Sequence, residues 1–344
     1  MSAAPTTLDG WAAERMGLPR PLTRAALEDW QLARLRELLA RARVTSPFYR
    51  ARSDWRELPK TLSALADFPF TTAGDLARAD PSLLAIPPSE VARIVTLPTS
   101  GTSGRPKRIC CTAEDLGATV DFFHHGLALF VRPDDVVAID FSGIHPESLG
   151  DLLVRALGRL GARPLLVPPG CNTVGLVDFL RQESPGVILG TPGRLLAAAR
   201  LSAGEGGGLP WPRAALASAE ALPPELEPEL RRCWGCELFA HWGMTETGFG
   251  GAVECTCHTG QHLRETELLV EIVDPVTGVP LAPGLEGEIV VTTLRRRAMP
   301  LIRYRTGDLG RFLPGECACG SVLRRLAREV RRAVAGGGQQ KGSS

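Results

Sequence analysis

The sequence predicts an α/β fold with largely parallel sheets flanked by helices, and three observations carry the prediction. Short apolar runs alternate with stretches of helical length through the middle of the chain. A loop of glycine and hydroxyl residues, Thr99-Ser100-Gly101-Thr102-Ser103-Gly104-Arg105-Pro106-Lys107, follows directly on one apolar run, Ile94-Val95-Thr96-Leu97. A chain of 344 residues can bury a large core and exceeds the usual size of one compact domain, which implies two or more subdomains.

Taken in order, residues 22–44 read as a helix, with Leu32, Leu35, Leu38 and Leu39 in one apolar stripe at spacings of three and four. Ser46-Pro47 stops it, because the residue before a proline is pushed out of the helical region. Thr112-Ala113-Glu114-Asp115-Leu116 can start a helix, with a threonine cap and carboxylates in the first turn, running through Phe122, Phe123 and Leu127. Val136-Val137-Ala138-Ile139, Pro164-Leu165-Leu166-Val167-Pro168 and Val187-Ile188-Leu189-Gly190 read as buried strands. Between and after them, Leu152 to Leu160, Val174 to Gln182 and the stretch from Arg194 read as helices. Gly204 to Pro212 reads as a surface loop, and Gly287-Glu288-Ile289-Val290-Val291-Thr292-Thr293-Leu294 alternates like a strand.

The balance of 39 basic and 38 acidic residues gives no electrostatic case for nucleic acid or an anionic membrane. Residues 1–10 lack a basic region followed by an apolar core, and no stretch is long and apolar enough to span a bilayer. Nine cysteines in such a chain suggest a reducing, cytoplasmic setting with thiols or metal ligands.

Three motifs carry chemistry. The Thr99–Lys107 loop offers converging N–H and O–H donors that can wrap a phosphate chain, and Lys107 adds a charge. It is not a Walker loop, since Arg105 and Pro106 separate the second glycine from the lysine. A surface loop of ordinary composition is the competing reading. The second motif is His241-Trp242-Gly243-Met244-Thr245-Glu246-Thr247, and the third is Pro300-Leu301-Ile302-Arg303-Tyr304-Arg305-Thr306-Gly307-Asp308.

Thr-Ser-Gly-Thr-Ser-Gly-x-Pro-Lys resembles the phosphate-binding loop of the adenylate-forming superfamily, which includes acyl-CoA synthetases and peptide-synthetase adenylation domains. The second motif resembles that family's aromatic-Gly-x-Thr-Glu, and the third its Arg-Tyr-x-Thr-Gly-Asp. Leu216-Ala217-Ser218-Ala219-Glu220 resembles the segment that supports the adenine, with Ala219 where glycine is common. Trp30-Gln31, Leu35, Leu38-Leu39, Ser46-Pro47-Phe48-Tyr49-Arg50 and Phe68-Pro69-Phe70-Thr71-Thr72 are similar to phenylacetate-CoA ligases. The likeness runs from about residue 22 to 322. It implies a large adenylate-forming domain over 1–322 with a smaller β-rich subdomain, and a hinge remnant and flexible tail over 323–344.

The resemblance implies that Thr99, Ser100, Gly101, Thr102, Ser103, Gly104 and Lys107 hold the β- and γ-phosphates of ATP. Ala219, Glu220, Trp242 and Gly243 would frame the adenine, with Thr245 on the α-phosphate and Asp308 on the ribose hydroxyls. Glu246 would hold Mg²⁺, which takes one or two carboxylates plus phosphate oxygens. Thr245 and Glu246 are then the catalytic residues. The acid, aryl or arylacetic by default, would sit near Phe141, Ile144, His145 and Ala240, and coenzyme A would be the acyl acceptor. The rival is a homologue that binds nucleotide or acyl adenylate without turnover, or a scaffold.

Phenylacetate-CoA-ligase-like proteins often carry cysteines and a histidine at the places of Cys255, His262, Cys317 and Cys319, and some bind Zn²⁺ there. Three thiolates and an imidazole suit a closed structural Zn²⁺ site, with Cys257 and His258 as competing ligands. Family enzymes also carry a lid domain with a hinge Gly-Arg-Asp-Asp and a catalytic lysine. After Gly320 that hinge pattern is not clear; Arg328 is the nearest candidate for its arginine, and the only downstream lysine is Lys341. The expectation is slow adenylation and little thioester formation by this chain alone: either it is a truncated form, or a partner supplies the lid, or the protein has become a binder; a homodimer is also compatible with the resemblance.

Overall fold

The computed structural model describes residues 7–52, 57–78, 81–97, 106–203 and 211–333. The phosphate-loop candidates Thr99 to Gly104, most of the Gly204–Pro212 stretch and Lys341 lie outside the described residues. The chain begins with helices α1 (Thr7–Met16), α2 (Arg24–Thr45), α3 (Pro47–Ala51) and α4 (Ala73–Arg78). The strands β1 (Arg93–Leu97) and β2 (Lys107–Cys111) then form an antiparallel pair, with Leu97 opposite Lys107. Lys107 is thus the first residue of a strand rather than part of the loop.

Next come α5 (Ala113–Leu127), β3 (Val136–Ile139), α6 (Leu149–Leu160), β4 (Arg163–Leu166) and α7 (Thr173–Glu183). They are followed by β5 (Val187–Gly190), α8 (Pro192–Ser202), β6 (Ala214–Ala217), α9 (Leu226–Trp234) and β7 (Glu237–Trp242). Strands β8 (Ala252–Glu254) and β9 (Gln261–Leu263) come after these, then β10 (Leu268–Val273), β11 (Gly287–Thr293), β12 (Tyr304–Gly310), β13 (Arg325–Leu326) and β14 (Arg331–Arg332).

An eight-stranded sheet in the order β13-β9-β8-β7-β6-β5-β3-β4 forms the centre. Its β4, β3, β5, β6 and β7 run parallel, and β8, β9 and β13 extend it antiparallel. β5 and β6 are buried along their whole length, as a sheet with helices on both faces requires. A four-stranded antiparallel sheet, β10-β11-β12-β14, is the smaller β-rich unit.

Local chemistry sets the boundaries. Thr112 and Asp115 form a reciprocal capping box at the start of α5. The buried stripe of α2 is Leu27, Gln31, Leu35, Leu38, Leu39 and Ala42; Leu32 is only partly buried. Gln31 takes an inward place because its amide donates to the carbonyls of Glu265 (3.0 Å) and Leu268 (3.3 Å). β11 is buried at every position instead of alternating, since it is paired on both edges and covered on both faces.

The boundary expected at residue 322 falls inside packed structure. Leu323, Leu326 and Ala327 are buried, β13 pairs with β9, and β14 pairs with β12. Residues 323–333 are therefore packed onto the two sheets, and those from 334 lie outside the described residues.

Candidate functional site

A cleft of about 380 Å³ opens where β6 and β7 end, and β12 and β14 of the smaller sheet close its far side. It gathers five of the residues expected to hold the nucleotide, Ala219, Glu220, Trp242, Gly243 and Asp308, together with Ala240 and Arg328. Ala219 makes the bend after β6 with φ +73°, the left-handed region, which accounts for the glycine common at this place in the family. Glu220 reaches the start of α8, where its carboxylate accepts from the Gly193 N–H (3.2 Å). A Cβ on Gly243 would lie 2.4 Å from the Phe249 carbonyl oxygen and 2.9 Å from the His241 ring, so only glycine fits there.

Both oxygens of Asp308 are engaged. The Arg332 guanidinium donates to Oδ1 (2.8 Å) and the Trp242 indole N–H donates to Oδ2 (3.1 Å). The tryptophan that replaces the more usual tyrosine thus brings a donor that steadies the carboxylate. Arg328, the candidate for the hinge arginine, also lines the cleft, and it pairs with Glu227 (2.7 Å) and Glu254 (3.1 Å) rather than with Asp308. Arg332, opposite Asp308 in the β12–β14 register, is the arginine that meets the candidate ribose carboxylate.

Glu246 lies in the single 3₁₀ turn Thr245–Thr247 that follows β7, and Thr245, partly buried, opens that turn. Glu246 is 1% exposed, and its Oε1 accepts from Lys107 Nζ (2.6 Å) and from the Tyr304 hydroxyl (3.0 Å). Burial beside this carboxylate drives the Tyr304 phenol well above its ordinary range, so it remains a donor. The motifs assign Lys107 to phosphate and Glu246 to metal, and neither motif reveals that the two form a buried ion pair. Tyr304 also escapes a reading of the sequence; its signal is its place inside the Arg-Tyr-x-Thr-Gly-Asp motif.

Arg303 of the same motif has a different task. It is buried, forms a paired contact with Glu271 (3.1 and 3.0 Å), donates to the carbonyls of Ala66 (2.6 Å) and Phe68 (2.7 Å), and stacks over Phe70. The Phe68-Pro69-Phe70 segment is thereby fastened to β12.

Beside the cleft runs a narrow apolar cavity lined by Phe122, Phe123, Phe141, Leu153, Val253 and His241, among others. His241 lines both spaces and forms a wall between them. Of the four residues expected to build the acyl pocket, only Phe141 lines this cavity. Ala240 lies in the cleft, and Ile144 and His145 are exposed; Ile144 borders a separate groove over the ends of β3 and β4. The turn after β3 carries them outward, which spacing along the chain does not reveal.

Cys255, His262, Cys317 and Cys319 form a second centre, with all four donor atoms buried and within 4.8 Å of one another. Cys255 Sγ lies 3.7 Å from Cys317 Sγ, and Cys319 Sγ lies 3.4 Å from His262 Nε2. A tetrahedron with metal–sulfur bonds of about 2.3 Å has edges of about 3.8 Å, so the donors have the spacing a zinc ion needs. Burial opposes ionisation of the Cys317 thiol, but hydrogen bonds from Thr259 and the Cys319 backbone outweigh it and bring the group to about 6. Of the competing ligands, Cys257 packs against the cluster but is partly exposed and outside the four clustered donors, and His258 pairs with Glu237 (2.8 Å) and Glu254 (3.5 Å).

A family model described as "AMP-binding enzyme" matches residues 17–294. The chain belongs to this adenylate-forming family, among the relatives of the phenylacetate-CoA ligases. It is 32% identical to a phenylacetate-coenzyme A ligase of Aromatoleum evansii, over 87% of this chain and 68% of that protein. It is 33% identical to one of Pseudomonas putida, over 84% of this chain and 67% of the relative. Among solved structures, a 2-hydroxyisobutyryl-CoA ligase in complex with 2-HIB-AMP and CoA superposes with a TM-score of 0.79 at 23% identity. That match covers 91% of this chain and 69% of the other, and it bears on the fold alone.

Proposed function

We propose that this chain binds ATP with Mg²⁺ and a carboxylic acid and joins them as an acyl adenylate. A carboxylate oxygen attacks the α-phosphorus, the bond to the β,γ-phosphates breaks, and pyrophosphate leaves. Catalysis of such a step is positioning and charge neutralisation, with no covalent enzyme intermediate. The observation that supports the reading is the junction at His241, where a polar cleft bearing Asp308 and Trp242 adjoins an apolar cavity.

In this scheme Asp308 receives the ribose hydroxyls after exchanging Arg332 or Trp242 for them. Ala219, Glu220, Trp242 and Gly243 frame the base, and Thr245 donates to the α-phosphate. The Thr99–Gly104 loop holds the outer phosphates. Lys107 and Glu246 lie where their charges can be redistributed, Glu246 to Mg²⁺ and Lys107 to phosphate. Mg²⁺ would neutralise phosphate oxygens. The acyl group would enter at the cavity lined by Phe122, Phe123 and Phe141; its aromatic lining favours an aromatic acid, and at about 20 Å³ it must widen to admit one. Transfer to coenzyme A we assign to a lid domain acting with this one.

The cysteine and histidine centre would hold a structural Zn²⁺, since four protein donors leave no position open for substrate. It would fix the segment after β8 to the segment after β12.

Carboxylate-dependent exchange of labelled pyrophosphate into ATP tests the reading across a panel of carboxylic acids. Exchange with at least one acid is expected. ATP and AMP binding without exchange would leave a nucleotide- or adenylate-holding protein. No thermal shift with ATP and Mg²⁺ would leave a scaffold.

A further inference from the structure

Behind the turn that carries Glu246 lies a small polar cavity of about 20 Å³, room for one particle the size of a water molecule. Thr247 and Gly248 of that turn, Thr119 of α5, Arg264 and Arg296 line it, among others. Both arginines are buried, at 3% and 7% exposure. Arg264 donates one long hydrogen bond, from Nη1 to the Gly250 carbonyl (3.5 Å), and stacks over the Phe122 ring. Arg264 Nε and Arg296 Nη1 are buried without a hydrogen-bond partner among the described residues. The two guanidiniums converge on one place. A Cβ on Gly248, at φ +72°, would lie 3.1 Å from Arg296 Nη2 and 3.6 Å from Arg264 Nη1, so glycine keeps the space between them open. The carboxylates that face the cavity are already engaged. Asp115 accepts from the backbone N–H groups of Thr112 (2.8 Å), Arg297 (3.0 Å) and Ala298 (3.3 Å), and Glu267 accepts from Arg15 Nε (2.7 Å).

A buried guanidinium without a charge partner of its own is costly. Burial, and with it the charges of Arg15 and Arg296, hold the Arg264 guanidinium down at about 10, against the opposing pull of Glu267. A water molecule would satisfy free N–H groups but would leave two like charges facing each other. We propose that the cavity binds a monatomic monovalent anion, chloride in ordinary buffers, between Arg264 and Arg296. The anion accepts from both guanidiniums and neutralises their repulsion. Phosphate, sulfate and carboxylates are too large for a cavity of this size. The bound halide ties the turn bearing Glu246 to α5 on one side and to the segment after β11 on the other. The site is independent of whether the chain forms adenylates.

Crystals of the full chain grown in sodium bromide test occupancy, because bromide scatters anomalously at its absorption edge. A bromide peak between Arg264 and Arg296 is expected. In solution, the melting temperature in about 0.1 M sodium chloride or bromide should exceed that in sodium gluconate of equal ionic strength by about 2–4 °C. Gluconate matches the screening but cannot enter the cavity. Arg296→Gln should lose this gain, and Arg296→Lys, which keeps the charge, should retain part of it. Water alone at the site in the bromide crystals would overturn the proposal. So would a halide gain that survives undiminished in a folded Arg296→Gln protein. A bromide peak with equal melting temperatures in halide and gluconate would mark binding at crystal concentration only and would overturn it as well.

Discussion

The cysteine and histidine centre and the nucleotide cleft join the same two parts of the chain, yet they are opposite kinds of site. Residues 242–262 supply Trp242 to the cleft and Cys255 and His262 to the centre; residues 308–319 supply Asp308 to the cleft and Cys317 and Cys319 to the centre. In the centre the donors face one another and are closed to solvent. In the cleft Asp308 has a protein partner, Arg332, that a ligand would have to displace, and the buried Glu246 after β7 is likewise held by Lys107. The closed site can fix the two segments so that the open one can exchange its contacts without losing its shape.

The largest effect should come from the closed site. Metal analysis of protein purified without an immobilised-metal column should find close to one equivalent of zinc. Cys317→Ser should lower that below half and cost more than about 4 kcal/mol in denaturant unfolding, the scale that accompanies loss of a metal. A zinc-free protein of unchanged stability would remove one side of the comparison.

Next is the buried pair. The Lys107 and Glu246 side chains are 11% and 2% exposed, so removing one partner strands the other. Glu246→Gln should destabilise the free protein by about 3 kcal/mol, and Lys107→Met with Glu246→Gln should recover much of it. Glu246→Gln should also weaken Mg²⁺-dependent ATP binding while sparing AMP, which needs no metal. A single variant within about 0.5 kcal/mol of wild type would mean that the pair contributes nothing in the free state.

Asp308→Ala acts on the ligand rather than on the fold. Loss of charge-assisted bonds to the ribose should weaken AMP and ATP by about tenfold to over a hundredfold. Unchanged affinity in the folded variant would falsify the ribose role.

How much of this was legible in the sequence follows the same division. The alternation of apolar runs and helices specified the parallel core, because strands such as Val187–Gly190 are buried on both faces and read as continuous apolar segments. The family resemblance pointed to the centre, but separating Cys255 and His262 from the competing Cys257 and His258 needed the turn after β8. Trp242, Glu246 and Asp308 were legible as motif positions; their partners were not. The Lys107–Glu246 contact spans 139 residues and Trp242–Asp308 spans 66, and no local pattern encodes such pairs. Ile144 and His145 lie outside the apolar cavity for the same reason, since a turn after β3 decides which way they face. Leu32 was misassigned because Gln31 buries itself on two backbone carbonyls that lie far along the chain.

The smallest effect is at Ala219, and it asks whether the open site stores strain that the fold would shed. An alanine at φ +73° places its Cβ against the following carbonyl, and Asn, Asp and Gly are the residues that tolerate this region. Ala219→Gly removes that clash but returns conformational freedom to the unfolded chain, an offset of about 0.4–1 kcal/mol. Relief of the clash outweighs that offset, so a net gain of up to about 1 kcal/mol is expected. Paired chemical denaturation curves of wild type and variant would resolve it. A loss of stability would mean that the bend after β6 holds alanine without strain. A gain in stability with weaker AMP binding would show that the strain is kept for the ligand, because the glycine lets the Ala219-Glu220 segment leave the position from which it lines the cleft.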